Sequence, residues 1–337
     1  MSPPLPDGGG SVERKVQVTG GSTYTVSIPK EWANDRDIES GSVVRLYPFD
    51  ARIVMTQPEA RTWTARIDVD AVGEESVSKW IEAAYAAGSD EIRVESDTGF
   101  TAAQRRIASG AITDLVGMEI ASEAETELVA RSLLDTAEIS LEDTIDQLRG
   151  ISLSMHEDAV EAVRSADGGE LASRVAARDD DVDRLFALVS RQFYRTLDDV
   201  RELEKLRTGR RAAFTRFRVA RQLERIADHA ELIADVGRRQ SDPPEAELRG
   251  RIGDVATDAR RVVRTALDGN TGEALMRRDG VVEAVDELDR RLYGEAGENV
   301  YLYGRVLESV RRTAEYGGNV AEIRTLNGIA TPDGRTE

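Results

Sequence analysis

An internal repeat constrains this chain more than any single motif. A first stretch runs through Ala166-Asp167-Gly168-Gly169-Glu170-Leu171 and Arg178-Asp179-Asp180-Asp181-Val182-Asp183-Arg184-Leu185 to Leu223-Glu224-Arg225-Ile226-Ala227-Asp228-His229. A second runs in the same order through Leu267-Asp268-Gly269-Asn270 and Arg278-Asp279-Gly280-Val281-Val282-Glu283 to Arg311-Arg312-Thr313-Ala314-Glu315-Tyr316-Gly317-Gly318-Asn319. A duplicated helical unit gives that order twice, so function is sought in a site the copies share or divide.

The pattern is helical from about Ser140 onward. It breaks at Asp167-Gly168-Gly169, Thr208-Gly209, Ser241-Asp242-Pro243-Pro244, Asp268-Gly269-Asn270 and Glu295 to Asn299. Three long helices on each side of the Pro-Pro break predict two three-helix bundles, over residues 137–242 and 243–330. The first copy is the longer, by a helical stretch around Asp199 to Thr208. Upstream, residues 1–11 read as a disordered leader rich in Pro and Gly, and residues 331–337 as a tail.

Residues 12–58 hold short β-branched runs at Lys15 to Val18, Tyr24 to Ile28, Val43 to Tyr47 and Arg52 to Met55. Gly20-Gly21 and Asp50-Ala51 supply turns. This all-β module is too short to close a core alone, so dimerisation is expected. Residues 59–136 alternate strand and helix signals in the order β-α-β-α-β-β, which predicts a ferredoxin-like α+β connector. It shows no phosphate loop and no nucleophile–base pairing, and reads as a spacer or dimerisation element.

Charge narrows the chemistry. The chain has 63 acidic residues against 45 basic ones, a net charge of −18 and no cysteine. Only four of the basic residues are lysine. That balance points to a halophilic archaeal cytoplasm, where the screening length falls to roughly 3 Å. No run of 18 apolar residues and no signal-peptide core appears, so no membrane insertion is expected. Without cysteine, thiolate zinc and iron–sulfur centres are excluded, and two histidines do not make a histidine-rich centre. Any metal must be a hard divalent or ferric ion on carboxylates.

One helix carries the candidate site. Leu223, Ile226, Ala227, Ala230, Ile233 and Ala234 form an apolar stripe, and Glu224, Asp228, Glu231 and Asp235 follow one position behind it. The acids therefore lie along the edge of the bundle core. Asp179 and Asp183 make a second i, i+4 pair on the preceding helix, so Asp179, Asp183, Glu224 and Asp228 are the metal candidates. A solvated acidic face, with Arg221 and Arg225 as ordinary partners, is the competing reading. His229 reads as a packing or surface residue. A ferritin-like di-iron centre is excluded because neither histidine has a Glu three residues before it.

The helix Leu223 to His229 resembles the signature helix of the PhoU phosphate-signalling family, and Asp179 with Val182, repeated as Asp279 with Val282, resembles the helix before it. The likeness spans about residues 138–328 and implies metal clusters on the bundle surface. The second copy departs from the pattern, with Arg311 in place of an acid and Glu315 in place of Asp. Asp279, Glu283 and Glu315 are thus weaker candidates. Residues 13 to 57 resemble an AbrB/SpoVT DNA-binding domain through Lys15 to Val18, Tyr24 to Trp32 with its Ile28-Pro29-Lys30-Glu31 step, and Ile38 to Val44. That likeness implies a swapped-hairpin barrel built from two chains. Between Glu13 and Arg52 six basic and six acidic residues balance, which fits a DNA-facing surface in an acidic chain. Arg14, Lys15, Lys30 and Arg36 are the contact candidates.

The reading is a cytoplasmic, homodimeric, non-enzymatic, DNA-binding transcriptional regulator of phosphate uptake and homeostasis, whose helical part senses or relays phosphate status. The alternative is an adaptor that does not bind DNA and docks a phosphate ABC-transporter ATPase or a signalling kinase.

Overall fold

A computed structural model describes residues 12–49, 52–58, 62–166, 168–292 and 299–329. The expected leader, the Asp50-Ala51 turn, Asp167 and the tail lie outside the described residues. The chain divides into two compact units, Met1–Arg61 and Thr62–Glu337.

Among its described residues the first unit has two hairpins and a helix. β1 (Gln17–Thr19) pairs antiparallel with β2 (Thr23–Thr25). The turn rests on Gly20 and Gly21 at φ 66° and 79°, where a side chain would be strained. α1 (Lys30–Asn34) follows, with Pro29 at its N-cap. β3 (Arg45–Phe49) pairs antiparallel with β4 (Arg52–Thr56). The unit is therefore β-rich, as expected, with one short helix added. Proline at the N-cap presets φ for a helix start, and the Lys30-Glu31-Trp32 run beyond the strand signal turns into α1. None of its described residues is buried. Tyr24 is 76 % exposed and Ile53 66 %.

The second unit opens with a mixed sheet: β5 (Thr64–Asp68), α2 (Val69–Val72), α3 (Val77–Ala86), β6 (Glu91–Glu95), α4 (Ala102–Asp114), β7 (Met118–Glu123) and β8 (Glu127–Ser132). The strand order is β5-β6-β8-β7, with β5 and β6 parallel and the other neighbours antiparallel. The expected element order is present. The parallel pair is directly adjacent, however, where a split ferredoxin-like arrangement would insert a strand between its members. Thr101 and Gln104 form a reciprocal capping box at the start of α4. Ile67, Ile81, Tyr85, Ile92, Val94 and Leu128 fill this domain's core.

Seven helices follow among the described residues: α5 (Leu141–Arg164), α6 (Gly168–Asp198), α7 (Val200–Lys205), α8 (Arg210–Arg239), α9 (Ala246–Leu267), α10 (Thr271–Leu292) and α11 (Val300–Ile329). α7 is the extra stretch of the first copy. α8 packs on α5, α6 and α11, and α11 packs on α9 and α10. One continuous core runs through both copies, because α8 and α11 pack against each other and bury apolar side chains from each bundle together. Close crossings fix this packing. A Cβ on Gly317 would stand 2.8 Å from Val262 Cγ1 and 2.9 Å from the Val263 backbone nitrogen.

The mixed sheet domain is seated on α6. Arg191 donates to the Ser89 carbonyl at 2.5 Å and to Asp90 Oδ1 at 3.4 Å. Arg195 donates to the Gly88 carbonyl at 3.0 Å and also to Asp90. Glu202 of α7 is buried and accepts from Arg195 at 3.3 Å and Lys205 at 2.9 Å. The connector, read in the sequence as a spacer or dimerisation element, is thus packed directly on α6. The contacts join residues about a hundred positions apart, so no local pattern announces them.

Candidate functional site

The apolar stripe on α8 packs as its spacing requires: Leu223, Ile226, Ala227, Ala230 and Ile233 are fully buried. One position behind, Glu224 is half-buried and Asp228 stands at the exposed rim. α6 packs on this helix and brings Asp179, half-buried, and Asp183, exposed, into the same electrostatic environment. Desolvation is the first cause raising the carboxyl of each of these four acids. Asp179 is pushed up to about 7, and its acidic neighbours Asp183, Glu231, Asp228 and Asp180 add to the rise. Glu224 is also pushed up to about 7 by burial and then by Asp228, while Arg221 works against the rise. For Asp228 itself, Arg221 and Arg225 oppose the effect of desolvation. Arg221 donates to Glu224 Oε1 at 2.9 Å. Asp179 Oδ1 and Glu224 Oε2 are buried with no hydrogen-bond partner among the described residues.

The four candidates thus share one electrostatic neighbourhood. They do not form a ligand cage. Among the described residues no group of three His, Asp or Glu side chains is arranged to hold a metal ion. Spacing along one helix identifies acids on one face, but it does not set their distance from the facing helix. The residues as placed form a groove of partly desolvated carboxyls, with Asp179 and Glu224 each pushed up to about 7, and not a preformed cation site among the described residues.

The connector supplies residues that sequence reasoning missed. Glu82 of α3 is raised by burial and then by Asp183, and Lys79 opposes that rise. An open cleft of about 610 Å³ lies between α3, α4, α6 and α8. Its walls include Lys79, Glu82, Asp183 and Glu224, and its floor Ile107 and Phe186.

The second copy is neutralised. Asp279 pairs with Arg278 at 2.8 Å and Glu315 with Arg312 at 2.9 Å. Arg311 pairs with Asp286 and with Glu308 at 3.5 Å. The cation beside Glu315 is therefore Arg312, where Arg311 was expected. Glu283 lines the same open groove as Asp279 and Glu315. His229 sits between the copies, with Nδ1 3.2 Å from Ser309 Oγ and Nε2 3.3 Å from the Tyr316 hydroxyl. It packs, as its surroundings in the sequence indicated.

In the first unit Arg14, Lys15 and Lys30 are exposed. Arg36 is half-buried, with its guanidinium 5.3 Å from the centre of the Trp32 ring. Three of the four candidates are thus free to reach a polyanion, and Arg36 is committed to Trp32.

Residues 145–236, spanning most of α5 to α8, match the PhoU domain family, and residues 17–64 match the family described as antidote-toxin recognition MazE, bacterial antitoxin. Two solved structures are similar. The phosphate transport system regulatory protein PhoU from Streptococcus pneumoniae shares 18 % identity over 56 % of this chain and 92 % of its own, with a TM-score of 0.45. PhoU from Pseudomonas aeruginosa shares 20 % identity over 57 % of this chain and 96 % of its own, with a TM-score of 0.46. No curated protein matches the chain. No described helix is long and apolar enough to cross a membrane. The chain carries a PhoU domain at residues 145–236 and a MazE/AbrB-like domain at residues 17–64.

Proposed function

We propose that this protein is a homodimeric, DNA-binding transcriptional regulator of phosphate uptake and homeostasis, acting in the cytoplasm and without enzymatic activity. One observation carries the reading. A MazE/AbrB-like unit with no buried described residue is joined in one chain to a PhoU domain. The open apolar side chains of the hairpins, Val18, Tyr24, Leu46 and Ile53 among them, need a second copy to cover them, because a unit this small cannot close a core alone. Dimerisation then places two sets of Arg14, Lys15 and Lys30 on one surface, where they bind phosphates of duplex DNA. The helical part relays phosphate status through its partly buried carboxylate groove.

Genome-wide mapping of DNA bound by the full chain, paired with measurement of solution mass, tests this. Enrichment at phosphate-uptake promoters is expected, lost when Arg14, Lys15 and Lys30 are replaced by alanine. Unchanged occupancy in that variant, or a monomeric full chain, overturns the reading in favour of an adaptor that meets a transporter ATPase or a kinase.

A further inference from the structure

Between residues 205 and 223 the chain has seven basic residues and no acidic one, inside a protein of net charge −18. This stretch covers the α7–α8 turn and the first half of α8. It also borders the largest aromatic cluster among the described residues. Four of the six phenylalanines gather there. Phe193 stacks on Phe217 at 4.7 Å and lies 5.6 Å from both Phe214 and Tyr194, and Phe186 stands 6.0 Å from Phe217. The cluster is not sealed. Phe214 is 46 % exposed, Tyr194 42 % and Leu197, one turn further along α6, 49 %.

Arginines frame the exposed ring. On α8, Arg210 and Arg211 lie one turn before Phe214, and Arg218 one turn after it, with its guanidinium 5.6 Å from the ring centre. Among the described residues Arg207, Arg210 and Arg211 pair with no carboxylate, although many arginines of this acidic chain do. Local preferences are set aside to place them. Arg207 sits at φ 48°, in the left-handed region that favours glycine. Arg210 and Arg211 open α8, where the helix dipole favours acids and no side chain caps the turn. Departures of this kind, all placing positive charge on one surface, mark function more often than stability.

We infer that this patch docks an acidic amphipathic helix of a partner protein. The partner's apolar face would cover Tyr194, Leu197 and Phe214, and its carboxylates would meet Arg210, Arg211 and Arg218. The apolar centre decides against duplex DNA. Phosphate contacts call for charge alone and leave the exposed leucine and aromatic rings without a role. An apolar centre of aromatic residues with an arginine rim is the composition of a protein-binding hot spot, and a helix laid on such a face anchors at i, i+3 and i+4. The inference is independent of the transcriptional reading.

The test uses the full-length protein and a fluorescein-labelled synthetic peptide of about 18 residues, with Leu at i, i+3, i+4 and i+7 and Asp or Glu elsewhere. Fluorescence anisotropy should show saturable binding. Phe214→Ala, with every charge kept, should weaken it about tenfold, and the triple reversal Arg210→Glu, Arg211→Glu, Arg218→Glu should remove it. Circular dichroism checks that both variants keep their helix content; should either lose it, Leu197→Ser takes its place. A scrambled peptide of the same composition should bind at least about tenfold more weakly. Three results overturn the inference: no saturable binding, equal binding of the scrambled peptide, or tighter binding of a single-stranded oligonucleotide that the same substitutions abolish. A change in solution mass of the peptide-free patch variants also overturns it, since the occupant would then be a second copy.

Discussion

Replacing Asp179 by asparagine should stabilise the protein at pH 8, and by less than half as much at pH 5. Asp179 Oδ1 is buried without a partner among the described residues, and Asp183, Glu231, Asp228 and Asp180 surround it. Its carboxyl is pushed up from 3.8 to about 7. At about 1.4 kcal/mol per pH unit, that rise has a ceiling of about 4 kcal/mol for holding the charge in the folded state. The group is only half-buried, so solvent screening reduces the figure to about 1–2 kcal/mol.

The sign follows from proton counting. Between the unfolded value of about 4 and the folded value of about 7, the folded chain holds more protons on this group, so its contribution to stability falls as pH rises through that window. The amide of the Asp179→Asn variant carries no charge at any pH. The variant's melting temperature should therefore exceed that of the wild type at pH 8 by a few degrees, roughly 2–6 °C for a unit of this size. His156 has the opposite effect. Burial and then Arg260 hold its imidazole down to about 3, so it costs stability as pH falls below about 6.5. That contribution is common to both proteins and cancels in the difference. Calorimetric melting of the two at pH 5, 6, 7 and 8 in low salt gives the comparison. A lower melting temperature for Asp179→Asn at pH 8, or the same gap at pH 5 and pH 8, would refute the account of the groove.

Three further outcomes are expected. Asp90→Ala strips the shared acceptor from Arg191 and Arg195 and should cost about 2–4 kcal/mol, because the buried Arg191 loses its carboxylate and Arg195 keeps Glu202 alone; limited proteolysis should then cut between the mixed sheet domain and α5. Gly317→Ala should destabilise by about 1–3 kcal/mol in denaturant melts, since its Cβ would press on the Val263 backbone, whereas Ala230, which holds the matching position of the first copy, packs without cost. In equilibrium dialysis, Glu224→Ala with Asp228→Ala should lower any metal uptake by the chain and Glu315→Ala should not.

The helical architecture was legible because its signals are local. The stripe from Leu223 to Ala234 names the buried face of α8 residue by residue, and the Pro243-Pro244 and Gly269 breaks fall between helices. The acids one position behind the stripe follow from the same periodicity. Their state does not, because it depends on how closely α6 approaches and on what α3 brings, and both are matters of tertiary packing. Asp90 and Glu82 were invisible for that reason. The basic stretch at 205–223 is plain in composition.

Duplication explains why the two copies could diverge in chemistry while sharing one core. The apolar stripes of α8 and α11 pack on each other, so neither copy can lose its buried face without unfolding both. The positions one residue behind are under no such constraint. In the second copy, arginines at 278, 311 and 312 pair with Asp279, Asp286 and Glu315. In the first copy, Arg221 pairs with Glu224, and neighbouring acids add to the rise of Asp179 and Asp183. That groove also faces Glu82 of the mixed sheet domain, whose own rise depends in part on Asp183. Such coupling is reciprocal, so a proton gained on Asp183 eases the ionisation of Glu82 and lowers the repulsion between α3 and α6. The mixed sheet domain thus has Glu82 within electrostatic reach of Asp183 in the first copy, while its other end is held by Asp90, Arg191 and Arg195.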